Sequence, residues 1–307
     1  MPIKIPDGLP GRVILEQERV PLILQERAQR QDIRPLQIAI LNLMPDKITT
    51  EIQLLRALGA TPLQIEVTLL HTSTHNSKNT SQAHLDAFYK TYQDVMDKNF
   101  DALIVTGAPV EHMAYKDVSY WDEFAGIMEW ARTHVYSSFF ICWGAQAALY
   151  HYNGIEKFPL AAKKSGVYLH KVVTPFEPLL TGFDDSFHVP VSRNTEIRHR
   201  DVAANTDLLV LAESDDTGIF LIYDRAHRRI YSFNHLEYDA ETLQREYTRD
   251  KKEGLNPQVP HNYFPQNNPE EQPRITWRAH RSLLFSNWIN LVYQGTPFDL
   301  ATMKKYV

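Results

Sequence analysis

Hydrophobic and polar positions fall into two textures along this chain, which meet near residue 166. In the first, short and almost continuous apolar runs alternate with segments whose apolar residues recur at helical spacing. The runs are Leu36–Leu41 (LQIAIL), Ile65–Leu70 (IEVTLL), residues 102–105 (ALIV) and residues 137–141 (SSFFI). Runs of this kind are strands buried on both faces, as in parallel sheets. Between them the pattern predicts a helix opening at Thr49 or Thr50 and stopping at Gly59, a second over 84–96, and a third over 121–133 that sets Phe124, Met128 and Ala131 on one side. Strands alternating with helices imply right-handed βαβ units, and so an α/β fold whose mostly parallel sheet carries helices on both faces. Chemistry in such sheets gathers beyond the carboxyl ends of the strands. Residues 42–46, 106–111 and 142 all fall on that edge.

The second texture consists of short β-rich runs at 167–173, 187–191, 208–212, 219–223 and 229–233. They suit hairpins and edge strands, partly antiparallel, that complete the sheet instead of founding a second domain. Residues 239–252 form a helical pattern with a charged face, and 277–293 another with Leu283, Leu284, Trp288 and Val292 as its apolar stripe. Between these two, residues 254–273 are rich in Pro and Asn, and a connection of about 20 residues points to a docking or functional loop. At the other end Pro2, Pro6, Pro10 and Pro21 punctuate a segment of mixed polarity with one short helix expected over 22–31. The organisation read from this is an N-terminal arm, 1–35, lying over a single body, 36–307.

Composition changes the picture only by exclusion. Of 307 residues, 43% are hydrophobic and 22% charged, as in an ordinary globular protein. A net charge of −5 supplies no basic surface, so nucleic acid is not an expected partner. A single cysteine excludes an intramolecular disulfide and fits a reducing compartment. The opening MPIKIPD lacks the apolar run of a signal peptide, and no stretch approaches the roughly 18 apolar residues of a membrane span. The expectation is a cytoplasmic protein with no membrane partner.

Candidate chemistry centres on that cysteine. Cys142 ends an apolar strand, and a helix follows at once through Trp143, Gly144, Ala145, Gln146 and Ala147. A sharp strand-to-helix turn pushes a nucleophile out at the sheet edge and aims free N–H groups and a helix's positive end at it. A free cysteine is otherwise most often a small buried hydrophobe, so the rest of the chain has to supply a base and a carboxylate to orient it. His235 and Glu237, just after the run 229–233, meet that need, because residues i and i+2 of a strand-like segment share a face. Other patterns are weaker. His71 and His75 lie four apart but lack the further ligands of a zinc site, so no metal is expected. Neither phosphate-cradling glycine motif is present. On local pattern Lys163 belongs to a solvated face, and Trp277 and Trp288 to the core.

Taken together, the stretches 40–45 (ILNLMP), 106–109 (TGAP), 141–147 (ICWGAQA), His235-x-Glu237-Tyr238, 259–264 (VPHNYF) and 283–288 (LLFSNW) give the chain a clear resemblance to the homoserine O-acyltransferase family of methionine biosynthesis over nearly its whole length. That family has a class I glutamine amidotransferase-like, flavodoxin-like fold. The resemblance implies ping-pong transfer, with no bound cofactor and acetyl-CoA as co-substrate. Cys142 carries the acyl group, His235 acts as general base, and Glu237 orients it. The N–H of Trp143 donates to the oxyanion, a contribution of roughly 3 kcal/mol. Acceptor-binding positions fall on Lys163, Ser192 and Arg249, and Arg249 suits an α-carboxylate by bidentate pairing. A glutamate at the position of Glu111 goes with acetyl-CoA and a glycine with succinyl-CoA; a carboxylate there fills space and repels a succinyl group.

Two positions depart from the family pattern. Pro190-Val191-Ser192-Arg193 stands where Pro-His-Ser-Arg is usual, and Asn234 stands where the triad histidine is usually preceded by glycine. The first lies beside an acceptor position and keeps L-serine, one methylene shorter than homoserine, as an alternative acceptor leading to cysteine synthesis. Homoserine O-succinylation, glutamine hydrolysis by the same triad, and a non-catalytic binding protein are the further alternatives. Phe140 occupies the first glycine position of the usual amidotransferase elbow. The arm and the Pro/Asn loop suit a homodimer.

Overall fold

The computed structural model describes residues 3–5, 8–17, 22–24, 34–74 and 80–305. Its centre is one sheet. The strands are β1 (Ile3–Ile5), β2 (Leu22–Leu24), β3 (Leu36–Leu41), β4 (Ile65–Leu70), β5 (Tyr89–Lys90), β6 (Phe100–Val105), β7 (Val135–Ile141), β8 (Phe158–Val172), β9 (Ser186–Glu196), β10 (Leu208–Ser214), β11 (Gly218–Asp224) and β12 (Arg229–Ser232). Their order is β2-β1-β4-β3-β6-β7-β12-β11-β10-β8-β9, with β5 paired to β4 off this path. From β2 through β12 every pairing is parallel; from β12 onward every pairing is antiparallel. The two textures of the sequence thus correspond to the two halves of one sheet.

The parallel half behaves as its apolar runs require. β6 is buried at every position and β3 at all but one, each being covered on both faces. One face packs the helix Lys47–Leu58 and the C-terminal helix Arg278–Gly295. The other packs Trp121–His134 and Trp143–Asn153, giving two apolar clusters with the sheet between them. Trp277 and Trp288 lie in the core as expected, and their indole N–H groups donate to Tyr238 O (2.9 Å) and Ser137 Oγ (3.0 Å).

Four expectations need correction. The helix predicted from Thr49 or Thr50 starts at Lys47, because the Asp46 carboxylate caps it by accepting from the Thr49 N–H at 3.1 Å. The helix predicted over 84–96 ends at Phe88. Tyr89 turns extended and pairs with Leu69, where its buried hydroxyl reaches Glu51 at 2.6 Å and receives the Asn42 amide at 2.9 Å. In the expected helix 22–31, Leu22–Leu24 instead pairs in parallel with β1, and the remainder lies outside the described residues. The strand expected to begin at 167 begins at Phe158, which brings Lys163 into β8.

The Pro/Asn loop 254–273 is docked. His261 pairs with Gly166, whose φ is +148° and where an added Cβ would lie 2.4 Å from the His261 carbonyl oxygen. Only glycine allows that approach.

Candidate active site

Cys142 adopts φ +52°, ψ −120°, a conformation costly for a residue with a Cβ and one that nucleophile elbows use. The turn is held from several sides. The Cys142 N–H donates to Ser232 O on β12 at 2.7 Å, and its carbonyl accepts from Ala145 and Gln146 as the helix Trp143–Asn153 opens. Gly144 sits so close to the end of β6 that a Cβ would fall 2.5 Å from Thr106 O, and Gly107 packs against the Cys142 side chain. Small residues at these two points let the helix begin directly over the strand ends.

His235 and Glu237 come together, though not by the route expected. Residues 234–238 form a turn and not a continued strand, with the Tyr238 N–H reaching back to His235 O. The turn brings His235 Nδ1 within 2.6 Å of Glu237 Oε1. The His235 N–H is anchored to Pro190 O at 2.9 Å, and the Tyr238 ring stacks on the imidazole at 4.1 Å. Nδ1 being engaged, the buried Nε2 is left for the Cys142 thiol, and imidazole and thiol favour each other's charged forms through charge and hydrogen bonding.

Burial opposes charge on both groups. It raises the thiol's pKa, against the His235 ring and the Trp143 N–H, which favour thiolate. It also works against protonated His235, yet the Glu237 carboxylate and Cys142 outweigh it and hold the imidazole well above its ordinary value. The result is a strongly basic imidazole beside a thiol that resists ionising alone, an arrangement in which proton transfer between the two activates the sulfur.

Glu111 faces the nucleophile. Its Oε1 lies 3.7 Å from Cys142 Sγ, and its Oε2 accepts from the Asn194 backbone N–H (3.0 Å) and side-chain amide (2.8 Å). A carboxylate pinned by two donors keeps its place beside the sulfur.

Opposite stands a wall that carries charge. Lys163 Nζ reaches Glu246 at 3.2 Å and Asp250 at 3.0 Å; the Ser192 hydroxyl donates to Glu246, and Tyr238 Oη donates to it at 3.2 Å. Arg249 lies on Asp250 through Nε (2.9 Å) and Nη2 (2.6 Å), with its side chain more than half exposed. Burial lowers the proton affinity of Lys163, but Glu246 and Asp250 outweigh it and raise the net value. The solvated-face reading of Lys163 is thereby corrected.

All eight residues singled out in the sequence converge here. Glu111, Cys142, Lys163, Ser192, His235 and Arg249 line one hollow of about 170 Å³ with Glu246, Tyr238 and Asn194. Glu237 backs His235, and Trp143 supplies its N–H to the sulfur. Glu246, Asp250 and Asn194 were missed. Glu246 and Asp250 lie four apart on a helix whose charges read as solvated, with Arg249 three after the first and next to the second, and Asn194 follows Ser192 by two on β9.

Neither departing residue enters the hollow. Val191 is fully buried on the opposite face of β9, and Asn234 is buried with its amide donating to His170 Nε2 at 2.9 Å. Burial keeps that imidazole neutral, at about 4, and free to accept. No group of three or more potential metal ligands is assembled among the described residues; His71 bonds to Thr72 O, and His75 lies outside them.

The profile of a family described as homoserine O-succinyltransferase matches residues 2–298. The chain is 51% identical to a homoserine O-acetyltransferase of Acetivibrio thermocellus over 305 residues, covering 99% of this chain and 100% of that one. It is 51% identical to a homoserine O-acetyltransferase of Brevibacillus brevis over 306 residues, with 99% and 100% covered. Among solved structures, a glutamine amidotransferase of Thermotoga maritima shares the fold at TM-score 0.54 and 11% identity, covering 85% of this chain and 99% of that one. A putative GMP synthase subunit of Thermoplasma acidophilum does so at TM-score 0.53 and 15% identity, covering 85% and 96%.

Proposed function

Since the chain belongs to the homoserine O-succinyltransferase family, we propose that it moves an acetyl group from acetyl-CoA to the hydroxyl of L-homoserine by way of an acyl-enzyme on Cys142. It is an acyltransferase of methionine biosynthesis that acetylates homoserine. The donor and the residue roles are inferred from the site.

In the first half-reaction His235 Nε2 takes the thiol proton and Sγ attacks the thioester carbonyl. The oxyanion forms against the Trp143 N–H and the backbone of the Gly107–Ala108 turn, which packs against Cys142. Collapse expels coenzyme A as its thiolate, and His235 returns the proton to it. In the second half-reaction His235 removes the proton of the homoserine hydroxyl, which attacks the acyl-enzyme, and Cys142 leaves as thiolate to be reprotonated. The charged wall matches a zwitterion: Arg249 and Lys163 receive the α-carboxylate, and Glu246, oriented by Ser192 and Tyr238, receives the α-ammonium.

The observation that carries the acetyl reading is Glu111 at 3.7 Å from the nucleophile, held there by Asn194. A succinyl chain on Cys142 would bring a second carboxylate toward the first, and two like charges about 4 Å apart cost on the order of 1–4 kcal/mol. The test is competition between acetyl-CoA and succinyl-CoA with homoserine as acceptor. Wild type forms O-acetylhomoserine, and Glu111→Gly shifts donor preference toward succinyl by about 10–100-fold. A Glu111→Gly variant with unchanged preference, or product formed from serine in place of homoserine, contradicts the reading.

A further inference from the structure

A coenzyme A thioester is much longer than the hollow at Cys142 is wide. At about 170 Å³ that hollow is smaller than the about 300–1,000 Å³ in which small-molecule ligands are ordinarily held. It accommodates an acetyl group and an amino-acid head, and leaves the donor's long arm to be held elsewhere.

A second cavity of about 370 Å³ adjoins it, and Met44 and Pro109 line both. It lies between the loop after β3 and the loop after β6, with Thr72, beyond the end of β4, closing one side. From β3 the chain moves outward to β4, then returns to the other side of β3 as β6. The strand order therefore reverses here, and crevices at such reversals are where open α/β sheets bind ligands. Its walls are largely apolar, with Val110, Val118 and Tyr120 prominent. Lys47 points its ammonium at Asn42 O (2.7 Å) and Met44 O (3.4 Å), so it fixes the loop.

Resting on the acetyl-transfer reading above, we propose that this cavity is the subsite for the pantetheine arm of the acyl donor, with Met44 and Pro109 as the neck through which the thioester reaches Cys142. The chemistry of the arm fits. Its methylenes and gem-dimethyl group bury against Val110 and Val118, and its two amides meet the Thr72 and Ser119 hydroxyls at the margin. The cavity on the other side of Glu111, about 430 Å³, is lined by Lys116, Lys157 and Glu156, and Lys157 already donates to Met113 O and sits 4.3 Å over the Tyr115 ring. Its walls are the more polar of the two: in the first cavity Lys47 and His71 are already engaged by backbone carbonyls, which leaves Asp117 as its one other charged residue among the described residues.

The test obstructs the cavity at half-buried Val110 and exposed Ser119, with Val110→Trp and, independently, Ser119→Trp, and places Lys116→Trp in the polar cavity as a control. Each is assayed with acetyl-CoA and with S-acetyl-N-acetylcysteamine, which keeps only the first atoms of the arm. In the first two variants KM for acetyl-CoA rises about tenfold or more, while kcat/KM for the short donor stays within about twofold and KM for homoserine is unchanged. The control keeps the wild-type KM for acetyl-CoA. Retention of that KM in both tryptophan variants, proportional loss with both donors, or a rise confined to Lys116→Trp overturns the subsite. Wild-type failure to transfer acetyl from either donor counts against the acetyl-transfer reading instead, so the two failures are distinguishable.

Discussion

On one side of the active-site hollow stand Glu111, Cys142 and Trp143, carried by the ends of the parallel strands β6 and β7. On the other stand Lys163 and Ser192, from the antiparallel β8 and β9, with Glu246 and Arg249 from the helix Thr242–Lys252. The first wall is set by backbone: a positive-φ turn, a glycine within contact distance of Thr106 O, and strands without solvent-facing positions. The second is set by side chains that hold one another, two cations and two carboxylates with a serine and a tyrosine between them. Chemistry that needs fixed geometry sits on the rigid wall, and recognition of a zwitterion on the wall whose charges can exchange partners.

That contrast can be broken in several ways. Cys142→Ala should lower acetyl transfer by about 10⁴-fold or more, since no other group on either wall replaces the acyl carrier; steady-state rates check it. Glu237→Gln should cost about 10²–10³-fold in kcat by freeing the imidazole to take the wrong tautomer. The same change has a pH signature. Burial opposes the His235 charge but Glu237 and Cys142 raise its proton affinity, so the stabilisation is complete below about 6.5 and is lost as pH climbs through the higher folded-state value. The Tm deficit of Glu237→Gln should therefore be largest in mild acid and shrink at alkaline pH.

Gly144→Ala tests the rigid wall directly. A Cβ at 2.5 Å from a backbone oxygen should cost about 1–3 kcal/mol of stability, read as a lower denaturation midpoint, together with lost activity. Ser192→Ala, on the wall of side chains, should leave the midpoint nearly unchanged and raise only KM for homoserine. The smallest effect expected is Arg249→Lys, which loses bidentate geometry: KM for homoserine rises about tenfold, with acylation of Cys142 by the donor unaffected.

The same contrast explains what could be read from the sequence. β3 and β4 were legible at their observed bounds because each is a short, mostly apolar run; β3 is buried at all but one position, and β4 is buried at its ends and half-buried between. The elbow was legible because its parts are contiguous. His235 and Glu237 were found two apart, although a turn and not strand alternation joins them. The wall of side chains was less legible. Lys163 lies in the outer half of β8, where exposure erases alternation, and only the resemblance pointed to it. Glu246 hides in TLQREYTRDKK, whose only buried residues are Leu243 and Asp250, so its pattern is that of a solvated helix. The helix expected over 84–96 fails for another reason: Tyr89 turns extended and its hydroxyl is bound to Glu51 and Asn42.

The central claim is that the acetyl group rests on Cys142 between donor and acceptor. The most direct measurement is mass spectrometry of the protein incubated with isotopically labelled acetyl-CoA and no acceptor. The account predicts one labelled acetyl group on the peptide containing Cys142, discharged to O-acetylhomoserine when homoserine is added after the donor has been removed. Label appearing in product only when donor and acceptor are present together, with none on Cys142 at any time, would contradict it.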